Sequence, residues 1–185
     1  MLNTPLVLTD CMKDLRNYLK PEEIDRMLDK AEKFRDYLII RLLWKTGLRV
    51  SEFVNMEVNW IDFDEKMITV FGKGRKWRTT PIDRESLMHL KRYLKDEGID
   101  GGKIFNITRQ RAFQIIRKIA KEAGLKKKIH PHTLRHSYAI NYLMKRGNIR
   151  NLQLNLGHSN LNTTAQYLQV TAQDRKDEYE KIIID

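Results

Sequence analysis

Apolar residues recur at helical spacing along almost the whole of this chain, and the period falls to two only once, between Trp60 and Ile82. That single interruption fixes the fold class more firmly than any other feature. Met67–Phe71 and Trp77–Ile82 read as strands joined by the glycine-bearing turn Gly72-Lys73-Gly74-Arg75-Lys76, and Val58–Phe63 supplies a partner for the first strand. The flanks are helical. Pro21 stands at a first-turn position, with Ile24, Met27, Leu28 and Ala31 behind it; Phe34–Lys45 is strongly apolar and closes at Thr46-Gly47, and a short helix starts near Arg49. Further helices are expected at Arg84–Glu97, Thr108–Gly124, Thr133–Arg146 with Gly147 as its C-terminal stop, Ile149–Leu156, Thr163–Leu168 and Ala172–Ile183. The expected class is α+β, mainly α-helical with a small three-stranded antiparallel sheet. No repeat or linker divides the chain, and 185 residues are enough for one core without staples.

Charge narrows the partner. The formal net charge is +11, and residues 103–128 carry nine Lys or Arg against one Glu, a field that attracts a polyanion. No apolar run reaches membrane-spanning length, no signal peptide opens the chain, and the basic segments lack a large apolar face. A nucleic acid is therefore the expected partner, rather than an anionic membrane, with a cytoplasmic, nucleoid-associated location. The single Cys11 allows no intrachain disulfide and reads as a small apolar side chain.

The chemistry-bearing residues cluster near the C-terminus. His132 and Arg135 are spaced H-x-x-R at a helix start, Gly157-His158 follows, and Tyr167 comes nine residues later, after Asn162 or Thr163 as the expected helix cap. Arg49 begins a helix after the Thr46-Gly47 break, and Lys73 sits at the hairpin tip. Cleaving a phosphodiester without a metal needs neutralised nonbridging oxygens, a nucleophile and an acid for the leaving alkoxide. Cations and imidazoles meet the first need, a phenol of pKa about 10 in cationic surroundings the second, and a lysine lowered by Arg75 and Lys76 the third. Taken singly, each residue has a plainer reading: Arg49 as an exposed arginine after a helix break, Lys73 as a basic turn, His132 as a cap, Tyr167 as core among Leu161, Leu168 and Val170. His130, His136 and His89 read as structural or surface residues. Asp62, Asp64 and Glu65 open a metal-nuclease reading, but they share one short loop with no further ligand placed to complete a site.

Together, TGLRVSE, GKGRKWRTTPI and PHTLRHSYAINYLMKRGNIRNLQLNLGHSNLNTTAQYLQV resemble the catalytic domain of the tyrosine recombinases, the phage-type integrases and Xer-like enzymes, over roughly residues 20–175. The resemblance implies the catalytic-domain fold of that family and a set of roles. Arg49 and Arg135 would clamp the phosphate, Lys73 would protonate the 5′ oxygen, His132 would bond the phosphate and assist proton transfer, and His158 would be a second donor. Tyr167 would be the nucleophile, forming a 3′-phosphotyrosyl link, with Glu52 orienting the basic residues. DNA contacts are expected from Arg75, Lys76, Arg78, Arg109 and Arg111, with neither metal nor cofactor. The implied partners are double-stranded DNA and other protomers, as a tetramer on DNA, and the segment Thr171–Asp185 either docks on a neighbour or packs on its own domain. Residues 1–20 read as an extension or linker remnant, too short for the family's N-terminal core-binding domain, and 21–185 as the catalytic domain. Two other readings remain open on sequence: a catalytically idle DNA-binding regulator of recombination, and a type IB topoisomerase-like relaxing enzyme.

Overall fold

The computed structural model of the chain describes residues 17–72 and 76–168. In chain order its elements are α1 (Pro21–Asp29), α2 (Phe34–Thr46), α3 (Val50–Val54), a 3-10 turn (Val58–Trp60), β1 (Ile61–Asp62), β2 (Met67–Phe71), β3 (Trp77–Pro81), α4 (Arg84–Asp96), α5 (Arg109–Glu122), α6 (Pro131–Met144), α7 (Ile149–Leu156) and α8 (162–168). Helix α2 is central because it presents almost no polar side to water: Leu38 to Leu43 and Thr46 are all buried. Its one buried charge, Arg41, is matched by Ser86 at 3.0 Å and by Glu85 at 2.7 Å from α4. Helices α1, α3, α4, α5 and α6 pack round it to form the main core.

The sheet has the order β1-β2-β3, antiparallel throughout, with Ile61 opposite Ile68 and Phe71 opposite Trp77. Ile68, Val70 and Thr80 turn inward from β2 and β3, as the period of two requires. Helix α7 lies beside β3, so the sheet and the C-terminal helices meet at one place. A second, smaller core there holds Tyr18, Ala139, Ile140, Leu152, Leu156 and Tyr167. Tyr18 and Leu19 are buried, so packing begins ahead of the expected start at Pro21.

Two local expectations need correction. Helix α6 ends before Gly147, and the left-handed residue after it is Arg146, at φ 61°. The amide of Arg146 bonds the Leu143 carbonyl at 2.9 Å and that of Gly147 the Tyr142 carbonyl at 2.9 Å, a Schellman stop one residue earlier than expected. Glycine is required at 147 for a different reason: the Tyr142 ring occupies the space a Cβ would take. At α8, Asn160 supplies the side-chain acceptor, to the Asn162 amide at 2.9 Å, in place of Asn162 or Thr163 as cap. The helix expected at Ala172–Ile183, the Thr171–Asp185 segment and Cys11 lie outside the described residues.

Candidate active site

Arg135 lies at the centre of the site. Its side chain is only 2% exposed and reaches from α6 to two carbonyls, those of Gly47 at 2.5 Å and Leu156 at 2.6 Å. Both carbonyls belong to helix ends, α2 and α7, where backbone acceptors lack an intrahelical donor and carry partial negative charge. Gly47 and Gly157 stop those helices in the left-handed conformation, at φ 65° and 62°. The two glycines of the TGLR and LGH segments thus aim two orphan carbonyls at one guanidinium. Burial, and then the neighbouring Arg49, pulls Arg135 down to about 9, which leaves it a cation at neutral pH.

Glu52, 1% exposed, organises the other two arginines. It receives Arg78 through both terminal nitrogens, each at 2.9 Å, the bidentate geometry that suits a guanidinium and a carboxylate. It also accepts the Arg49 amide at 2.7 Å and the Arg49 Nη1 at 2.9 Å. Arg78 donates further to the Asn155 carbonyl at 3.1 Å, and its stem crosses Gly157 so closely that a Cβ there would lie 2.5 Å from Cδ. Arg49 stays 26% exposed, with its Nη2 3.4 Å from the Gly157 carbonyl. Three guanidiniums against one carboxylate leave a surplus of two positive charges, so the cluster favours an anion.

His158 follows the α7 stop. Its Nε2 lies 3.1 Å from Arg135 Nη2 and its Nδ1 2.9 Å from Thr164 Oγ1. A guanidinium only donates, so Nε2 is the acceptor and Nδ1 carries the proton that goes to Thr164. Burial, and then Arg135, Arg49 and Arg78, lower His158 to about 4, so the ring is neutral at pH 7. His132 acts on the same ring electrostatically; it is exposed in the first turn of α6, with the His130 ring 6.4 Å and the His136 ring 4.0 Å away.

Tyr167 is 1% exposed in the smaller core, and its hydroxyl lies 2.8 Å from His136 Nδ1. His136, read from sequence as structural or surface, is therefore in direct contact with the expected nucleophile. Burial, and then His132 and Arg135, lower it to about 3, so at neutral pH it meets the phenol as a neutral imidazole. The signal available in the sequence was its place one turn after His132 on the face that carries Ala139 and Ile140.

Of the six residues expected to be catalytic, the structure gathers Arg49, His132, Arg135, His158 and Tyr167 at the junction of α2, α6, α7 and α8. Lys73 lies outside the described residues, as does Arg75. Lys76, Arg109 and Arg111 are exposed. Arg78, expected as a DNA contact, shares the inward face of β3 with Thr80 and pairs with Glu52. Asp62 turns its carboxylate to the amides of Asp64 and Glu65, at 3.0 and 2.9 Å, which gives it a role in the β1–β2 turn. Among the described residues no helix is long and apolar enough to cross a membrane.

The sequence pattern of the phage integrase family matches residues 17–174. A tyrosine recombinase of Pseudothermotoga lettingae is 39% identical over 174 residues, 90% of this chain and 61% of that protein. The chain thus spans about three-fifths of the length of the relatives it matches. The crystal structure of a XerA recombinase superposes with a TM-score of 0.75 at 31% identity, covering 88% of this chain and 64% of that one. The XerH site-specific recombinase bound to palindromic difH substrate, a post-cleavage complex, gives 0.77 at 25% identity over 91% of this chain and 53% of that one.

Proposed function

Since the chain belongs to the phage integrase family of tyrosine recombinases, we propose that it cuts and rejoins DNA strands through a covalent tyrosyl ester. The observation that carries this reading is the buried Arg135, held by two helix ends beside Arg49 and His158 in a cluster with surplus positive charge. A phosphodiester monoanion placed there is neutralised at its nonbridging oxygens by Arg49 and Arg135, with His132 and, once the bound anion favours its protonation, His158 as further donors. Tyr167 Oη attacks phosphorus; the P–O bond to the 5′ oxygen breaks as the P–Oη bond forms. The phenol proton leaves to a base or solvent, and Lys73 supplies a proton to the 5′ oxygen. The ester keeps the bond energy, so a 5′-hydroxyl from another strand reverses the step without a nucleotide cofactor. Exchange between two duplexes then calls for several protomers, a tetramer on DNA. Glu52 positions Arg49 and Arg78 and touches no reacting atom.

The test is incubation with a pool of nicked suicide duplexes in EDTA, followed by denaturing gels. A covalent protein–DNA band that disappears in Tyr167→Phe is the expected result; a band that persists in that variant refutes Tyr167 as nucleophile. A second reading, a DNA-binding module that does not cleave, draws on the burial of Tyr167 against His136. Duplex binding with no covalent band from the wild type would favour it.

A further inference from the structure

A cavity outside the arginine cluster has a volume of about 510 Å³ and lies between α5 and the segment that leads into α6. Arg117, Lys121, Lys127, Lys128 and His130 line it together with Phe113, and none of its lining among the described residues is acidic. It is the folded form of the basic stretch at 103–128 that the arginine cluster leaves unused. Its volume is that of a ligand site rather than a packing defect.

The contacts that hold the wall in place neutralise only one of its cations, Lys127. Lys127 is tied to Glu23 at 2.7 Å and to the Tyr18 carbonyl at 2.9 Å, and the Lys128 carbonyl accepts Asn17 at 3.0 Å. The Phe113 and His130 rings stack 6.2 Å apart, and Arg117 lies 6.0 Å from the Phe113 ring centre. Arg117, Lys121 and Lys128 are exposed, and none forms an ion pair with an acid among the described residues. Three cations with no acidic partner among the described residues, on one concave surface, lower the free energy of a bound polyanion. The cavity also adjoins the other site directly: His130 belongs to its wall, and the His132 ring is stacked 6.4 Å away.

We propose that this cavity is a second phosphate-binding subsite, taking a run of linked phosphates. The linked phosphates have two possible sources, the sugar–phosphate backbone of the duplex flanking the arginine cluster, or a free oligophosphate. Only the first source rests on the function proposed above.

The test uses the full chain and two triple variants of equal charge change. Arg117→Gln/Lys121→Gln/Lys128→Gln removes the cavity's free cations, and Arg26→Gln/Lys95→Gln/Lys145→Gln removes exposed cations elsewhere. All six positions are exposed, and thermal melts establish that both variants fold. Duplex DNA and inorganic tripolyphosphate are titrated against each by calorimetry across a salt series. The cavity variant should bind duplex at least about tenfold more weakly than the control variant, with the slope of log K against log salt shallower by roughly 2 to 3, as expected for three lost phosphate contacts. Weaker duplex binding with unchanged tripolyphosphate binding identifies the backbone as source, and the reverse pattern identifies the free oligophosphate. Equal behaviour of the two variants toward both probes overturns the subsite. If the wild type binds tripolyphosphate through the cavity but no duplex, the subsite stands and the proposed function falls. A covalent band and duplex affinity identical in both variants, with tripolyphosphate binding also equal, leave the function standing and remove the subsite.

Discussion

Replacing Glu52 by Gln changes one charge and almost no volume, and it isolates what holds the arginine cluster together. The carboxylate is buried and receives Arg78 twice, at 2.9 Å each, and Arg49 through its amide at 2.7 Å and its Nη1 at 2.9 Å. A glutamine accepts through one oxygen only and turns an NH2 donor toward groups that are themselves donors. Breaking one partner of a buried ion pair costs about 3–5 kcal/mol, since the other charge is left buried without compensation. Arg49 is 26% exposed against 12% for Arg78, so most of that cost belongs to the Arg78 pair, and about 3–4 kcal/mol is the expected loss. For a chain of this size that is a fall in Tm of roughly 6–16 °C. The assay is urea denaturation followed by circular dichroism, in chloride and again in sulfate. The cluster's positive surplus rises from two to three in the variant, so sulfate should recover more stability there than in the wild type. Adding Arg78→Met removes the stranded charge, and the double variant should be more stable than the sum of the two single losses predicts, by more than about 1 kcal/mol. A Glu52→Gln loss under about 1 kcal/mol, or strict additivity with Arg78→Met, refutes the reasoning.

Three more outcomes are expected. His158 is held near 4 in the folded chain against about 6.5 unfolded, so the unfolded state takes up the proton first and stability falls as pH drops from about 6.5 toward 4. His158→Gln should flatten part of that fall in pH-dependent melts, the remainder belonging to His136, which titrates near 3; an unchanged profile contradicts the assignment. Gly157→Ala should cost more than Gly124→Ala in urea unfolding, because both have positive φ, worth about 1–2 kcal/mol of strain, but only at 157 does a Cβ meet the Arg78 stem. His136→Ala leaves the Tyr167 hydroxyl without its imidazole partner and should lower stability by about 1–3 kcal/mol, while the suicide-duplex band, normalised to folded protein, should form faster than in the wild type. A slower band would make His136 a participant in attack and not a restraint.

How much of this was legible in the sequence differs by element. The single two-residue period located the hairpin, and the run from Phe34 to Lys45 gave the central helix, because both signals are local. The stop of α6 falls one residue earlier than expected because Arg146 takes the left-handed position, while glycine at 147 answers another local demand, room for the Tyr142 ring five residues back in the same helix. Arg78 is among the expected DNA contacts, and strand alternation places it with Thr80 on the inward face. What alternation could not supply was its partner, since Glu52 is 26 residues away and the pairing depends on how α3 meets the sheet. The convergence of Gly47 and Leu156 carbonyls on Arg135 was equally out of reach, although both glycine stops were visible as motifs.

The low proton affinity of His158 and the surplus charge around Arg135 are two sides of one arrangement. Without an anion, a further positive charge beside Arg49, Arg78 and Arg135 is disfavoured, and His158 stays neutral with Nε2 accepting from Arg135. An anion bound at the arginines reverses that balance: it offsets their field and makes the protonated ring favourable. By linkage, whatever factor the anion adds to the proton affinity of His158, the proton adds to the affinity for the anion. A neutral ligand obtains none of this coupling. Selectivity for an anion over a neutral ligand therefore does not require a dedicated rejecting group; it follows from three guanidiniums that one carboxylate and two helix ends hold together but do not neutralise.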